Sequence, residues 1–245
     1  MRIAIVGSAC QGKTTLVNDM IKNWPVYTAH QSSYRKAIRE KNLPINKETN
    51  QNTQLEILNC LINDLKGYSN TDNVIFDRCP LDNIVYSLWS NAKNESDIDD
   101  EFIKKCIPLV QESMHNLDII FFLPITSVAP VPITERAERE VDPTFIQEID
   151  NIFKGISHSY YRTGTSPFFP DEDRPPIIEI FGNPQERIEM IKLYLGETGS
   201  LVDGDSVFTA QSIEEMEQLL QIQKSLGIEA EKETKLRDEI MRGNK

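Results

Sequence analysis

The stretch that decides the fold is Arg2-Ile3-Ala4-Ile5-Val6-Gly7-Ser8-Ala9-Cys10-Gln11-Gly12-Lys13-Thr14. Residues 2–6 have the composition of a short buried strand, and residues 15–21 place apolar side chains at helical spacing. Between them, residues 7–14 fit the spacing G-x-x-x-x-G-K-[ST]. A strand before this spacing and a helix after it are the context in which it forms a phosphate-binding loop. The sequence therefore predicts that the phosphates of a nucleotide bind here.

Each residue type in this loop has a physical role. Gly7 and Gly12 allow the backbone to curl so that its N–H groups face a phosphate, and the positive end of the next helix points at the same anion. Lys13 is predicted to reach the β- and γ-phosphates, and the Thr14 hydroxyl to bind Mg²⁺. The alternative is a glycine turn with a solvated lysine. The predicted nucleotide-binding residues are Gly7, Ser8, Ala9, Cys10, Gln11, Gly12, Lys13, Thr14 and Thr15.

Length and charge limit the classes of protein to consider. The 245 residues suit one large α/β domain, alone or with an appendage. The net charge of −12 argues against tight nonspecific DNA binding by the whole chain, although a local basic groove is compatible with it. No stretch is as long as a membrane span, and because the chain opens on a predicted core strand, we expect no signal peptide before it.

The cysteines indicate the compartment. All four lack C-x-x-C spacing, so they predict reduced thiols in a cytoplasmic protein rather than a zinc site or a disulfide framework. They are Cys10, Cys60, Cys79 and Cys106.

Apolar runs alternate with amphipathic stretches along most of the chain. The predicted strands are residues 2–6, 26–30, 74–76, 119–123 and 177–181. Strands that are apolar on both faces and alternate with helices indicate a parallel sheet. The predicted fold is a three-layer α/β/α sandwich with a five-stranded parallel sheet over residues 1–196. Residues 145–156 are predicted to be helical, and residues 157–176 to form an extended surface connection.

Residues 197–245 are predicted to be a linker followed by an acidic helical tail. Its apolar side chains between residues 213 and 226 recur at helical spacing. One interpretation is a helix that packs on the core or a loose solvated extension. The other is a helix that forms a homodimer or binds a partner.

A second informative stretch is Phe76-Asp77-Arg78-Cys79-Pro80-Leu81-Asp82. Asp77 ends a predicted strand on the side where ligands bind in open α/β sheets. If that strand neighbours the first one, Asp77 faces the γ-phosphate and either helps to bind Mg²⁺ or accepts a proton from the attacking hydroxyl. Arg78 is predicted to hold a phosphate or the acceptor, and Asp82 to hydrogen-bond a polar acceptor. The alternative is an aspartate that caps a helix, with Arg78 as its ion-pair partner.

Three more arginines are candidate site residues. Arg136 and Arg139 follow the fourth predicted strand at i,i+3 spacing, so both lie on one face of a helix. They are predicted to form a catalytic lid that neutralises charge in the transition state and excludes water. The alternative is a solvated helix in which neighbouring glutamates pair with them. Arg35 follows the second predicted strand and is predicted to line the acceptor site.

The chain resembles the P-loop kinase superfamily of nucleoside and nucleotide kinases, a branch of the P-loop NTPases. More narrowly, it resembles the AAA-like domain family that includes ribosylnicotinamide kinase. The resemblance rests on residues 7–15 and 77–82, on Arg136 and Arg139 with the residues that follow them, and on residues 182–187. It implies Mg-ATP as donor and a small acceptor that carries a hydroxyl or a phosphate. Ser32 departs from the family pattern, because family members often carry a carboxylate at this position. The departure favours Asp77 as the base.

The leading hypothesis is an ATP-dependent phosphotransferase that acts on a nucleoside, a nucleotide or a nucleotide-like small molecule. A second hypothesis comes from phage members of the superfamily, which include kinases that phosphorylate 5-hydroxymethyluracil within DNA. It requires a basic groove that leads to Asp77, with walls drawn from Lys36, Arg39, Lys41 and Arg162. A third is a P-loop ATPase switch that binds a protein through its C-terminal helix and has no phosphate acceptor.

Overall fold

The computed structural model describes residues 1–127, 142–163 and 166–202. Strands and helices alternate through these residues. The strands are β1 (Arg2–Val6), β2 (Thr28–His30), β3 (Val74–Asp77), β4 (Ile119–Phe122) and β5 (Ile177–Glu179). The helices are α1 (Lys13–Asn23), α2 (Ser33–Lys41), α3 (Gln51–Lys66), α4 (Pro80–Lys93), α5 (Asp100–Ser113), α6 (Pro143–Thr163) and α7 (Pro184–Ile191).

The five strands form one parallel sheet in the order β2-β3-β1-β4-β5. Strand β1 is central, with Ile5 opposite Asp77 of β3 and Val6 opposite Phe122 of β4. The chain therefore leaves β1 at the carboxyl edge of the sheet, between the ends of its two neighbours. This arrangement confirms the predicted parallel sheet and makes the strand that ends in Asp77 a direct neighbour of β1.

Helices cover both faces of the sheet. Successive residues of a strand point to opposite faces, and β4 shows both packings. Phe122 stacks on Phe153 of α6 with ring centroids 5.3 Å apart, whereas the ring of Phe121 lies 6.4 Å from that of Tyr194, beyond α7. Helices α3 to α6 share the first core, and α1 packs with α7 on the opposite side. The predicted three-layer sandwich is therefore confirmed.

Helix α6 is longer than the sequence pattern predicts. It continues to Thr163, into the stretch that was expected to be an extended surface connection. Ile156 and Tyr160 are buried at i,i+4 spacing, and Phe168 and Phe169 beyond the helix are buried as well. The expectation was wrong because these aromatic side chains extend the core rather than cover a surface loop.

The residues that follow α7 are held by the segment between α1 and β2. Trp24 Nε1 donates to the carbonyl of Gly196 at 2.8 Å, and the Tyr27 hydroxyl donates to that of Gly199. A bridge also pairs Leu195 with Leu201. The predicted tail helix falls within residues 203–245, outside the described residues, so the division at residue 196 stays a prediction. Among the helices described, none has the length and apolarity needed to cross a membrane.

Candidate active site

The loop after β1 has the backbone geometry that only its glycines tolerate well. Gly7 has φ of +141° and Gly12 has φ of +79°, both in regions that L side chains rarely adopt. A Cβ at Gly7 would lie 2.8 Å from the backbone oxygen of Leu123, which follows β4. The loop therefore runs against the end of the neighbouring strand, and its conformation depends on the missing side chain.

Lys13 begins α1 and is buried beneath this loop. Its Nζ donates to the carbonyls of Gly7 at 2.7 Å and of Ser8 at 2.6 Å. Burial and, to a smaller extent, the charge of Arg78 lower the pKa of Lys13, and Asp82 and Asp77 raise it; the net pKa is about 7. The lysine ammonium therefore lies within electrostatic reach of the side chains at the end of β3.

Asp77 is the point at which the predicted site residues converge. Its Oδ2 accepts a hydrogen bond from Thr14 Oγ1 at 2.6 Å and lies 3.4 Å from Arg35 Nη2. Its Oδ1 is buried and makes no hydrogen bond with the described residues. The structure thus brings Thr14, Arg35 and Asp77 together from three separate elements, because β3 pairs in parallel with β1, which precedes Thr14, and with β2, which precedes Arg35.

The pair Thr14 and Asp77 suits Mg²⁺. Mg²⁺ prefers oxygen ligands and usually binds through one or two side chains together with water and substrate phosphates. The two side-chain oxygens lie 2.6 Å apart, close enough to share one ion, and the buried second oxygen of Asp77 has no hydrogen-bond partner among the described residues. Among the described residues, no three histidine, cysteine, aspartate or glutamate side chains form a metal-binding group. The donor set fits a magnesium ion that is shared with a nucleotide.

Arg78 and Asp82 form a pair at the start of α4. Arg78 has a positive φ of +92°, and its Nη1 donates to Asp82 Oδ1 at 3.1 Å. Asp82 Oδ2 accepts the backbone N–H of Cys79 at 3.0 Å, which completes the capping box of α4. Both oxygens of Asp82 are therefore engaged, one in the helix cap and the other in an ion pair with Arg78. The guanidinium of Arg78 lies 5.4 Å from the ring centre of Tyr86, and its Nε is buried without a hydrogen-bond partner in the described residues.

Asp64 contacts the segment that carries Arg35, although no sequence motif pointed to it. From α3, its Oδ2 accepts the Ser33 backbone N–H at 3.1 Å and lies 3.1 Å from His30 Nε2. Burial raises the pKa of Asp64, but the hydrogen bonds from His30 and Ser33 outweigh it, so the pKa is lowered. Asp64 thus holds the first turn of α2, the turn that carries Arg35.

Arg187 also reaches the loop, from α7 on the other side of β1. Its Nη1 donates to the carbonyl of Gln11 at 2.6 Å, and its Nε donates to the carbonyl of Gly182 at 2.9 Å. The motif after β1 specifies the loop but not the side chain that packs behind it. Sequence spacing alone therefore could not assign this contact.

The remaining candidates fall into two groups. Lys36, Arg39 and Lys41 lie on α2, which has no buried residue, and Arg162 is exposed in the last turn of α6. Arg136 and Arg139 lie outside the described residues. Their predicted role as a lid therefore stays a prediction.

Comparison with protein families gives a match over most of this domain. A family model described as AAA domain matches residues 2–163. Comparison with curated proteins gave no significant match.

Solved structures share the fold at low sequence identity. NadR in complex with NAD and AMP-PNP superposes with a TM-score of 0.53 at 17% identity, over 84% of this chain and 51% of NadR. This chain thus spans about half the length of NadR. Deoxyadenosine kinase from M. mycoides, with the products dCMP and dCDP, gives a TM-score of 0.55 at 18% identity, over 78% of this chain and 96% of the kinase. At such identities the likeness shows the fold alone.

Proposed function

The chain belongs to the AAA domain family, and from that premise we propose that it is an ATP-dependent kinase. It transfers the γ-phosphate of ATP to a nucleoside, a nucleotide or a nucleotide-like acceptor. The observation that carries the proposal is the 2.6 Å hydrogen bond between Thr14 Oγ1 and Asp77 Oδ2. It joins α1, the helix that begins at the phosphate-binding loop, to the carboxylate at the end of β3, the strand beside β1 in the sheet. AMP-PNP in NadR and the nucleotides in deoxyadenosine kinase support this class of donor and acceptor.

The loop and Lys13 bind the triphosphate in this proposal. Backbone N–H groups of the loop and the first turn of α1 face the phosphate oxygens. Lys13 exchanges the carbonyls of Gly7 and Ser8, which it contacts now, for oxygens of the β- and γ-phosphates. Because the ammonium is buried, its attraction to the phosphates is screened less than at an exposed surface.

Thr14 and Asp77 are the residues that would hold Mg²⁺. When bound there, Mg²⁺ supplies positive charge that offsets the charge on the phosphate oxygens. Arg35 Nη2, 3.4 Å from Asp77 Oδ2, adds a second positive charge at the acceptor side of that carboxylate.

Asp77 is also the proposed base. It accepts the proton of the acceptor hydroxyl while the oxygen of that hydroxyl forms a bond to the γ-phosphorus and the bond to the β-phosphate oxygen breaks. ADP leaves with the electron pair of that bond, and Asp77 returns the proton to solvent. Arg35 and Arg78 orient the acceptor, because the guanidinium of Arg35 lies beside Asp77 at the end of β3 and Arg78 directly follows that residue.

One observation supports DNA as the alternative acceptor. The nine residues of α2 include four basic side chains and one acidic side chain, in a chain whose net charge is −12. The helix is exposed, and Arg35 in its first turn contacts Asp77. A polymer that carries a modified pyrimidine would find positive charge beside the reacting group, so its binding to this chain should weaken as salt rises.

The test is transfer of labelled γ-phosphate from ATP in the presence of Mg²⁺. The acceptors are a panel of nucleosides and nucleotides, DNA that contains 5-hydroxymethyluracil, and no acceptor, with Lys13→Ala as the blank. Asp77→Asn tests the carboxylate. Its matched control is Asp118→Asn, because Asp118 precedes β4 at the opposite edge of the sheet and pairs with Arg2 at 2.8 Å.

Each outcome of the transfer assay supports one of the three proposed classes of activity. Label on a small molecule that disappears in Lys13→Ala and Asp77→Asn but persists in Asp118→Asn supports the metabolite kinase. Label on the DNA moves the proposal to the polymer acceptor. Phosphate release that depends on Lys13 and is unchanged by every acceptor favours the ATPase switch.

A further inference from the structure

We infer that Arg187 is a positioning residue that fixes the backbone of the phosphate-binding loop in the conformation that binds ATP. This assignment rests on the proposed function. Arg187 lies on α7, far from the loop in sequence, and only 4% of its surface is exposed. It contacts two backbone carbonyls, one in the loop and one in the turn after β5.

The contact with the loop fixes the orientation of one peptide unit. Arg187 Nη1 donates to the carbonyl oxygen of Gln11 at 2.6 Å. In a planar trans peptide the C=O and the N–H point in opposite directions. The N–H of Gly12 therefore points away from Arg187. A guanidinium behind the loop thus holds one of the donors that the proposed function aims at a phosphate.

The space between Arg187 and the loop agrees with this role. A Cβ at Gly12 would lie 3.2 Å from Nη1, closer than most side-chain contacts allow, and Gly12 has φ of +79°. The second glycine of the motif therefore serves two needs, the left-handed backbone and the close approach of Arg187. Any larger residue at position 12 would have to displace the guanidinium.

The second contact connects the loop to a rigid corner. Arg187 Nε donates to the carbonyl of Gly182 at 2.9 Å, in the turn between β5 and α7. That corner is fixed by a capping box in which Asn183 accepts the Glu186 N–H and Glu186 accepts the Asn183 N–H. The loop therefore takes its orientation from the end of β5 as well as from β1.

Burying the charged guanidinium of Arg187 is energetically unfavourable, so packing alone does not account for an arginine at this position. A buried guanidinium loses its hydration, and the loss is usually compensated by a carboxylate. Among the described residues no carboxylate pairs with Arg187, and burial lowers its pKa from the ordinary arginine value. Two neutral carbonyls compensate only in part. An apolar side chain would fill the same space without that penalty, but it would leave the Gln11 carbonyl free to rotate.

Direct ATP binding tests the inference without any acceptor. The variants are Arg187→Met, which keeps the bulk of the side chain, and Arg187→Lys, which keeps its charge. The matched control is Arg2→Met. Arg2 is also a buried arginine that donates to a backbone carbonyl, that of His115 at 3.2 Å, but unlike Arg187 it pairs with a carboxylate, Asp118, at 2.8 Å, and it lies at the opposite edge of the sheet. The measurements without acceptor are the Kd for Mg-ATP by calorimetry and the urea midpoint of each variant; KM for ATP against kcat is measured with the acceptor that the labelled-transfer panel identifies.

We expect Arg187→Met to raise the Kd for Mg-ATP by about tenfold or more, as the loss of one charge-assisted hydrogen bond predicts. Arg187→Lys should recover part of that affinity, and kcat at saturating ATP should change much less than KM. Arg2→Met should lower the urea midpoint, because it removes the ion pair with Asp118 as well as the contact with His115, and it should leave the Kd unchanged. If Arg187→Met binds Mg-ATP as the wild type does, or if Arg2→Met weakens binding equally, the inference is wrong. Failure of the wild type itself to bind would overturn the proposed function and the inference with it.

Discussion

The same substitution at two glycines should have opposite effects on stability. Gly7→Ala places a Cβ 2.8 Å from the backbone oxygen of Leu123, at a φ of +141°. Gly155→Ala places a Cβ on the exposed side of α6 with no atom within 4 Å. One change adds a methyl group where the backbone cannot accept it, and the other adds it where a helix favours it.

The expected magnitudes follow from these two environments. A side chain in a glycine-only region of φ and ψ costs about 1–3 kcal/mol, and the forced contact adds about 1 kcal/mol or more. Leu123 cannot move aside easily, because its N–H donates to the Val6 carbonyl at 3.0 Å. Gly7→Ala should therefore lower the free energy of unfolding by about 2–4 kcal/mol. Gly155→Ala should raise it by about 1 kcal/mol, the difference in helix propensity.

Urea unfolding, with and without an ATP analogue, measures both effects. The free energy of unfolding decreases by about 1–3 kcal/mol for each molar of urea, so Gly7→Ala should lower the urea midpoint by roughly 1 M or more. The analogue should raise the midpoint of Gly155→Ala and the wild type but not that of Gly7→Ala, because the loop no longer presents its N–H groups. A Gly7→Ala protein that unfolds at the wild-type midpoint and is stabilised by the analogue would refute the assigned loop geometry.

Three further predictions concern single side chains. Asp77→Asn should reduce phosphoryl transfer by about 10²- to 10⁴-fold with little change in the Kd for ATP, measured by labelled transfer and calorimetry; near-normal transfer would rule out its role as base. In thiol labelling followed by mass spectrometry, half-buried Cys10 should react and be protected by ATP. Cys106 should not react, because burial raises its pKa to about 11, so equal labelling of both would contradict the burial described. Because the folded state lowers the pKa of Asp64, its contribution to stability is present above the unfolded value of 3.8 and is lost as pH falls through the folded value. Asp64→Asn should therefore cost more stability at pH 7 than at pH 3 in urea unfolding, and an equal cost at both would contradict the assigned hydrogen bonds.

The order of elements was predictable because it depends on local patterns. The strand before Gly7, the loop and the helix from Lys13 follow from spacing, glycine and hydrophobic period. Pro80 marks the start of α4 in the sequence and in the structure. The extent of α6 was not predictable in this way, because Tyr160 and Phe169 are fixed by packing against each other, with ring centroids 4.8 Å apart.

The individual residues of the candidate site were predictable from the sequence, but their arrangement in space was not. The sequence pointed to Thr14, Arg35 and Asp77 separately, each at the end or start of an element. The distances between these residues depend on the order of the strands in the sheet. The approach of Asp77 to the loop was therefore predicted only on the condition that β3 neighbours β1. The pairing of Ile5 with Asp77 meets that condition.

Contacts between elements distant in sequence had no local signal. Asp64 on α3 holds the start of α2, and Arg187 on α7 holds the loop after β1. Both are polar residues on helices, and the hydrophobic pattern of these helices predicts for them only an exposed position or a role in a helix cap. Arg187 contacts two backbone carbonyls, and Asp64 contacts a backbone N–H as well as the side chain of His30. Backbone groups are present at every position, so the sequence carries no local signal for such contacts.

Local sequence patterns were enough to predict a phosphate-binding loop between a strand and a helix and the alternation of strands with helices. Those features depend on interactions between residues close along the chain. Only the tertiary structure decided that Asp77 meets Thr14 and that Arg187 supports the loop. The physical reason is that strand order and helix packing bring together residues separated by 63 and 176 positions, and local propensity carries no information about such pairs.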